Sequence, residues 1–299
     1  MRTIIECVPN VSEGRDRKTI DEIAAAVGGA PGARLLDVSS DTSHNRSVLT
    51  FVGDAPGIRA GVNALLEAAV ARIDLRQHRG EHPRMGAVDV VPLIPIRGSS
   101  TEQCVALSRE VGAEIAERFA IPVYLYEDSA SSEARRNLAE IRKGQFEGFP
   151  QKMKDPSWKP DFGPAQPHPS AGVVAVGARA FLIAYNINLG TKELAVADRI
   201  AKAIRHSSGG LRYVKAMGVA LADRGIVQVS INMTNFRKTP LHRVFECVRS
   251  EAERHGVAIV GSEIVGLTPA DALYAAAEHY LRLEGFSAEQ VLETKLIED

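Results

Sequence analysis

Apolar positions along the chain fall into strand-length runs and longer helical stripes, and the order of these elements occurs twice. Residues 3–8, 34–38 and 47–52 are rich in Ile, Leu and Val and predict strands. Residues 16–27 predict a helix. A second helix is predicted over 56–73, where Ile58, Val62, Leu65, Leu66, Ala69 and Ile73 recur at helical spacing. Pro56, just after Asp54, suits its start. Residues 87–96 are almost continuously apolar, as in a strand buried on both faces. The order to this point is βαββαβ. A helix over 101–119, a strand over 123–126 and a helix over 132–143 extend it.

The pattern then changes. Between 146 and 169 stand prolines at 150, 156, 160, 164, 167 and 169, together with the single tryptophan, Trp158. Such a structureless stretch inside a compact protein is a functional loop or a linker. Beyond it the first order returns. A strand is predicted over 181–188, then a helix over 192–205 with Leu194, Ala197, Ile200, Ala201 and Ile204 on one face. Strands over 213–221 and 226–233 flank a turn at Asp223-Arg224-Gly225. A helix over 240–255 turns Leu241, Val244, Phe245 and Val248 inward, and a strand follows over 257–265. Thr268 and Pro269 predict a further helix start, with Thr268 as cap and Asp271 facing the positive helix end. The expected fold is α+β: two subdomains of ferredoxin-like βαββαβ order, 1–178 and 179–299, each a mixed sheet with helices on one face.

Composition narrows the function more than the fold. Of 299 residues, 45% are apolar and 24% charged, which is ordinary for a globular protein. A balance of 36 basic against 37 acidic residues argues against nucleic acid as the main ligand. Any anion must be met by a local cluster of cations. Cys7, Cys104 and Cys247 form no CxxC pair and fit a reducing compartment. Residue 1 leads straight into a strand pattern without a signal peptide, and no window reaches the ~20 apolar residues of a membrane span. A cytoplasmic protein is expected.

The densest chemistry lies after the 56–73 helix, in Arg76-Gln77-His78-Arg79-Gly80-Glu81-His82-Pro83-Arg84-Met85-Gly86. A solvated turn needs none of these residues, and this one ends at the mouth of a buried strand. His78 to His82 matches H-x-x-E-H, an inverted zinc-peptidase pattern. That chemistry requires a helix, so that both imidazoles share a face. Gly80 costs such a helix ~1 kcal/mol, and Pro83 turns His82 out of helical conformation. No metal is therefore expected. His82 reads better as a general acid–base, with an ordinary pKa of ~6.5 suited to both duties.

Other segments are less sharp. The residues from Asp37 to Arg46 form a polar link between two strands. Asn186 and Asn188 share one face of a strand, as a polar pocket or as structural hydrogen bonding. Gly163-Pro164-Ala165-Gln166-Pro167-His168-Pro169-Ser170-Ala171-Gly172 combines stiff and permissive backbone, as a linker or as a lip along a flat ligand. Neither a G-x-G-x-x-G nor a Walker loop occurs.

The sequence resembles the glutamate formimidoyltransferase family, which also forms the first part of animal formiminotransferase-cyclodeaminases. The stretches that carry the resemblance are Glu6-Cys7-Val8-Pro9-Asn10, Ser12-Glu13-Gly14, Asn45-Arg46, Gly80 to Gly86, Pro122-Val123-Tyr124-Leu125-Tyr126 and Trp158. To these are added Pro160-Asp161-Phe162-Gly163-Pro164, Asn186-Ile187-Asn188-Leu189, Gln228-Val229-Ser230 and Val265-Gly266-Leu267. The resemblance implies transfer of a formimino group from N-formimidoyl-L-glutamate to N5 of tetrahydrofolate, as in histidine degradation. It implies His82 as catalytic acid–base and places the folate-contacting stretch on Gly163 to Gly172. It also implies two α/β subdomains, here 1–178 and 179–299, usually in a homodimer. Arg46, Arg79 and Arg84 are candidate partners for substrate carboxylates. Two alternatives stay open: a related folate-dependent formyl- or formimidoyltransferase with another donor, and a folate-binding protein without transfer activity. One departure stands out: Ser39 lies where animal members carry an aspartate, and Asp41 is the nearby carboxylate that could replace it.

Overall fold

The computed structural model describes residues 3–296. It divides into two compact units, one ending at Ala180 and the other beginning at Phe181.

The first unit contains β1(Ile4–Cys7), β2(Asn10–Val11), α1(Arg17–Gly28), β3(Arg34–Asp41), β4(Arg46–Gly53) and α2(Ala55–Arg72). These are followed by β5(Val88–Arg97), α3(Thr101–Phe119), β6(Val123–Leu125), α4(Leu138–Arg142), α5(Gln145–Lys152) and β7(Val174–Ala178). The strand expected over 3–8 is β1, which Pro9 separates from β2; together they fill the place between β4 and β5. With β3 outside β4, this is the ferredoxin-like order. The sheet then continues through β7 and β6, both running parallel to β5, so it is mixed. Helix ends follow their local chemistry. The Asp54 side chain accepts the Gly57 N–H at the start of α2, and Ser100 and Gln103 form a reciprocal capping box on α3.

Strand alternation gives this sheet two apolar faces. Leu49, Phe51, Val91, Val123 and Val174 join the core beneath α1, α2 and α3. Val90, Ala175 and Tyr124 are neighbours across β5, β7 and β6, and they point the other way. There they pack with Met85, Ile141, Phe149 and Met153. Helices α1 to α3 therefore lie on one face, as expected, while α4 and α5 add a layer on the other.

That added layer departs from the sequence expectation. The helix over 132–143 reduces to a 3-10 turn at Glu133–Arg135 and the short α4, which Asn137 caps. The stretch 146–169 is not structureless, because it holds most of α5 and a 3-10 turn at Pro156–Trp158. Pro150 sits inside α5 and only removes one helical N–H. Side chains do the rest. Buried Arg135 donates to Asp161 at 2.9 Å and to the carbonyls of Ser157 and Lys159 at 2.8 and 2.6 Å. Asp161 also accepts the Leu125 N–H at 2.8 Å, which fastens the segment to β6. Strand β7 was not anticipated: it is a short run directly after the proline-rich stretch.

The second unit contains β8(Ile183–Leu189), α6(Leu194–Ile204), β9(Val214–Leu221), β10(Ile226–Met233), α7(Leu241–Arg254), β11(Ile259–Val265) and α8(Ala270–Leu281). Its strand order is β11-β8-β10-β9, with every pairing antiparallel. The expected mixed sheet is antiparallel here because no strand extends the four of the βαββαβ order. Ile187, Val229, Val196, Ile200, Val244 and Val248 form the core between the sheet and α6 and α7. Helix α8 begins one residue later than expected. Thr268 is not its cap; Pro269 holds that position, and the Thr268 hydroxyl is buried without a partner. Among the described residues no helix is long and apolar enough to cross a membrane.

Candidate active site

The loop carrying His82 is laid onto the turn between β3 and β4, which is tighter than the sequence suggested. Ser39 to Asp41 belong to β3 and Arg46 to β4, leaving only residues 42–45 as turn. Asn45 adopts φ 50°, a left-handed conformation that Asn tolerates. Its side chain accepts the Gly14 N–H at 2.9 Å and donates to the Arg79 carbonyl at 3.0 Å. Its own carbonyl meets His78 Nε2 at 2.8 Å. His78 Nε2 is then the donor, and its Nδ1 accepts from Arg84 Nε at 3.2 Å. Both ring nitrogens are engaged.

The end of the loop is as firmly held. Arg84 forks onto Glu147 of α5 at 2.8 and 2.6 Å. The Met85 N–H is held by Asp89 Oδ1 at 2.8 Å. Gly86 forms an antiparallel bridge with Gly172. On either side of it Val173 donates to the Met85 carbonyl at 3.0 Å and Ala87 to the Ala171 carbonyl at 2.9 Å. The Leu75 N–H donates to the Ser170 carbonyl at 2.9 Å.

His82 itself is 8% exposed. Burial, and then the charges of Arg142, Arg46, His44 and His78, push its pKa down to about 3. It is therefore neutral near pH 7, with a free base form that the surrounding cations keep from protonating. Arg46 has a buried Nε without a partner, and burial followed by Arg142 lowers its pKa. Arg142 of α4 places Nε and Nη2 on Asp89 Oδ2 at 2.7 and 2.5 Å, and Asp89 is 1% exposed. Asp41 turns toward His44. Its Oδ1 accepts the His44 N–H at 2.8 Å, and Oδ2 lies 3.0 Å from His44 Nδ1 without hydrogen-bond alignment. Ser39 is exposed, opposite Val48.

The residues singled out from the sequence fare differently. Arg84 is fully engaged by Glu147, His78 and Gln145. Arg79 is exposed and donates back to the carbonyls of Arg76 and His78. Of the three candidate arginines, Arg46 is the one with a buried donor, Nε, left unpartnered among the described residues, and its charge acts on His82. The segment Gly163 to Gly172 divides in two. Gly163 to Gln166 are exposed, with Gly163 at φ 90°. His168 to Gly172 form a turn closed by reciprocal backbone hydrogen bonds of 2.9 Å, and it docks on Met85 to Ala87. His168 Nδ1 accepts the Ala171 N–H at 3.0 Å. Residues 78–86 form no helix, so the zinc-peptidase arrangement is not built. Among the described residues no group of three His, Cys, Asp or Glu side chains could hold a metal ion.

Asp89, Arg142 and Glu147 were not foreseen. Asp89 interrupts an apolar strand, which is a readable sign of a buried polar role. Nothing local marks Arg142 among the other charges of 133–143. In the second unit Asn186 and Asn188 do share a face. Gln228 donates to Asn188 Oδ1 at 2.8 Å and to Glu263 at 2.9 Å, and Asn186 donates to Glu263 at 3.1 Å.

Two ferredoxin-order units, the first with a buried imidazole among guanidiniums, describe an α+β enzyme. Comparison with known proteins places it among the transferases. Residues 4–179 match the formiminotransferase domain, N-terminal subdomain, and residues 184–298 match the formiminotransferase domain. The chain is 50% identical to a glutamate formimidoyltransferase of Streptococcus pyogenes serotype M1, over 99% of this chain and 100% of that protein. It is 46% identical to a glutamate formimidoyltransferase of Thermoplasma acidophilum, over 98% and 97%. A formimidoyltransferase-cyclodeaminase of Gallus gallus is 43% identical over 99% of this chain and 56% of its own length. The chain belongs to the formiminotransferase family.

Proposed function

We propose that this protein transfers the formimino group from N-formimidoyl-L-glutamate to N5 of tetrahydrofolate, releasing L-glutamate, with His82 as general base and then general acid. The observation that carries the reading is His82 itself, buried and neutral between Arg46 and Arg142 in a member of the formiminotransferase family.

The steps follow from the charges. The donor's amidinium carbon is electrophilic because the group is cationic. Neutral N5 of the folate attacks it, forming the N5–C bond and a tetrahedral carbon bearing three nitrogens. His82 takes the proton from the now cationic N5. It returns that proton to the glutamate nitrogen, the C–N bond to glutamate breaks, and glutamate leaves as an amine. The amidinium re-forms on N5, so charge and protons balance. Proton transfer of this kind contributes about 10²–10⁴-fold, and alignment of the two substrates supplies much of the rest.

Arg46 is the substrate-carboxylate candidate this reading keeps, since Arg84 is committed to Glu147. The turn from His168 to Gly172 brings the family's folate stretch against the loop of His82, which supports a pterin lying along that edge. Tetrahydrofolate is a co-substrate here, and the reading uses no metal. We further infer a cytoplasmic homodimer, as the family resemblance suggests.

The test is a donor panel with tetrahydrofolate, read by formation of 5-formimidoyltetrahydrofolate. Formimidoylglutamate is expected to exceed formimidoylglycine and formyl donors by at least tenfold in kcat/KM. Turnover that is equal or better with another donor would reassign the substrate, and folate binding without turnover on any donor would end the transferase reading.

A further inference from the structure

The covalent structure of the donor limits which carboxylate can lie beside His82. In formimidoylglutamate the departing nitrogen is bonded to the same carbon that bears the α-carboxylate. The folate's own glutamate is a whole p-aminobenzoyl unit away from N5. An imidazole within hydrogen-bond reach of the departing nitrogen, about 3 Å, thus has the α-carboxylate as its nearest anionic neighbour. The cations around His82 are the groups placed to receive it.

We propose that Arg142, held by Asp89, receives the α-carboxylate of the formimino donor; the assignment rests on the transfer reading above. Asp89 spends both oxygens inside the protein. Oδ1 holds the Met85 N–H at 2.8 Å, and Oδ2 takes Arg142 Nε and Nη2 at 2.7 and 2.5 Å. One carboxylate therefore ties the arginine of α4 to the loop that carries His82, three residues before Met85. The third guanidinium nitrogen, Nη1, has no partner among the described residues.

Arg46 stands beside this arginine, with its own Nε buried and unpartnered. The charges of both guanidiniums reach His82, while Asp89 is paired with Arg142 and Asp41 accepts the His44 N–H. Asp89 neutralises only one of the two guanidiniums, and Arg46 keeps a buried Nε without a partner, so the cluster retains donor capacity that an anion can meet. A planar carboxylate suits guanidinium donors. The other nearby arginines are excluded by their own contacts: Arg84 is consumed by Glu147, and Arg79 is exposed and folded back on its own loop.

The contact also serves the chemistry. With the site empty, the two cations discourage protonation of His82. A carboxylate seated between them cancels part of that field, so the imidazole becomes more basic when the donor is in place.

The experiment compares wild type with Arg142→Gln, Arg142→Lys and the double variant Asp89→Asn/Arg142→Gln. The KM for donor and for folate is measured separately, and a donor with its α-carboxylate converted to the amide is included. Arg142→Gln is expected to raise donor KM at least tenfold while folate KM stays within twofold, with partial recovery in Arg142→Lys. The α-amide is expected to be penalised on wild type and not on Arg142→Gln. The double variant removes both charges of the ion pair and keeps the amide contact, so it tests the same loss if Arg142→Gln alone folds poorly. An unchanged donor KM, a restored donor KM in the double variant, or an equal α-amide penalty on both proteins would overturn the assignment. A wild type that forms no 5-formimidoyltetrahydrofolate would instead overturn the transfer reading.

Discussion

Gly86 and Gly172 face each other across an antiparallel bridge that leaves no room for a side chain on either one. A Cβ on Gly172 would lie 2.1 Å from the Met85 carbonyl oxygen, and its φ of 70° already disfavours other residues. Gly172→Ala is expected to cost about 2–4 kcal/mol, read as a lowered midpoint in urea unfolding. Turnover should fall with it, because the same bridge holds the loop of His82. A variant with native stability and native kcat would show that the bridge does not position the site.

His82→Gln keeps the volume and polarity of the side chain but cannot carry a proton between two nitrogens. The expected result is a 10²–10⁴-fold lower kcat with little change in either KM. The unfolding transition should match wild type, since the ring has no hydrogen-bond partner among the described residues and Gln is close to it in volume. Near-normal turnover in a folded variant would remove His82 from the mechanism.

The pH profile carries a signature of the cations. Burial and then Arg142 and Arg46 hold the His82 pKa below its usual value, at about 3. In free enzyme the base form is present at all pH values above that. The acid limb of kcat/KM assigned to His82 should thus lie well below pH 6.5. Replacing Arg46 with Gln removes one repelling charge, so the limb should move toward higher pH. A shift to lower pH, or none, would contradict this account of the field.

Glu6 lies buried on β1 with Oε2 unpartnered, and burial, only partly offset by Arg179, pushes its carboxyl up to about 7. In the unfolded chain it titrates near 4.5. Between these values the native state binds more protons, so the contribution of Glu6 is fully present below about pH 4.5 and is lost as pH rises through about 7. Glu6→Gln should remove that dependence. Its unfolding free energy relative to wild type is expected to be higher at pH 8 than at pH 5. The reverse trend in denaturant titrations would refute the burial argument.

If Arg84 is a structural brace, freeing it from Glu147 should not help catalysis. Glu147→Gln and Arg84→Gln are each expected to lower stability, with a coupling of about 1 kcal/mol in a double-mutant cycle, because Glu147 is largely exposed. Were Arg84 a substrate ligand instead, Glu147→Gln would release it and lower a KM.

Periodicity revealed the βαββαβ order in both halves because each helix buries a continuous stripe and each early strand a β-branched run. It did not reveal β7, whose short run follows a proline-rich segment and takes meaning only from pairing with β5 and β6. The same limit hid α5, since Pro150 reads locally as a breaker yet costs one hydrogen bond in a helix packed through Phe149. At the site, His82 was legible because glycines and a proline surround it. Arg142 was not, because the carboxylate that fixes it, Asp89, lies 53 residues earlier. Arg84 reads in sequence as a candidate carboxylate partner, and its contact with Glu147 of α5 became visible only in the structure.

The bridge between Gly86 and Gly172 also sets a timetable for synthesis. Its partners are 86 residues apart, so at ordinary elongation rates of ~5–20 residues per second the second glycine is made roughly 4–17 s after the first. Throughout that interval β5 lacks its neighbour β7, and the backbone around Met85 has no mate. A nascent chain thus carries an open strand edge next to the loop of His82. A fragment that stops short of Ser170 would keep His82 in its sequence without ever assembling the backbone bridge that holds its loop.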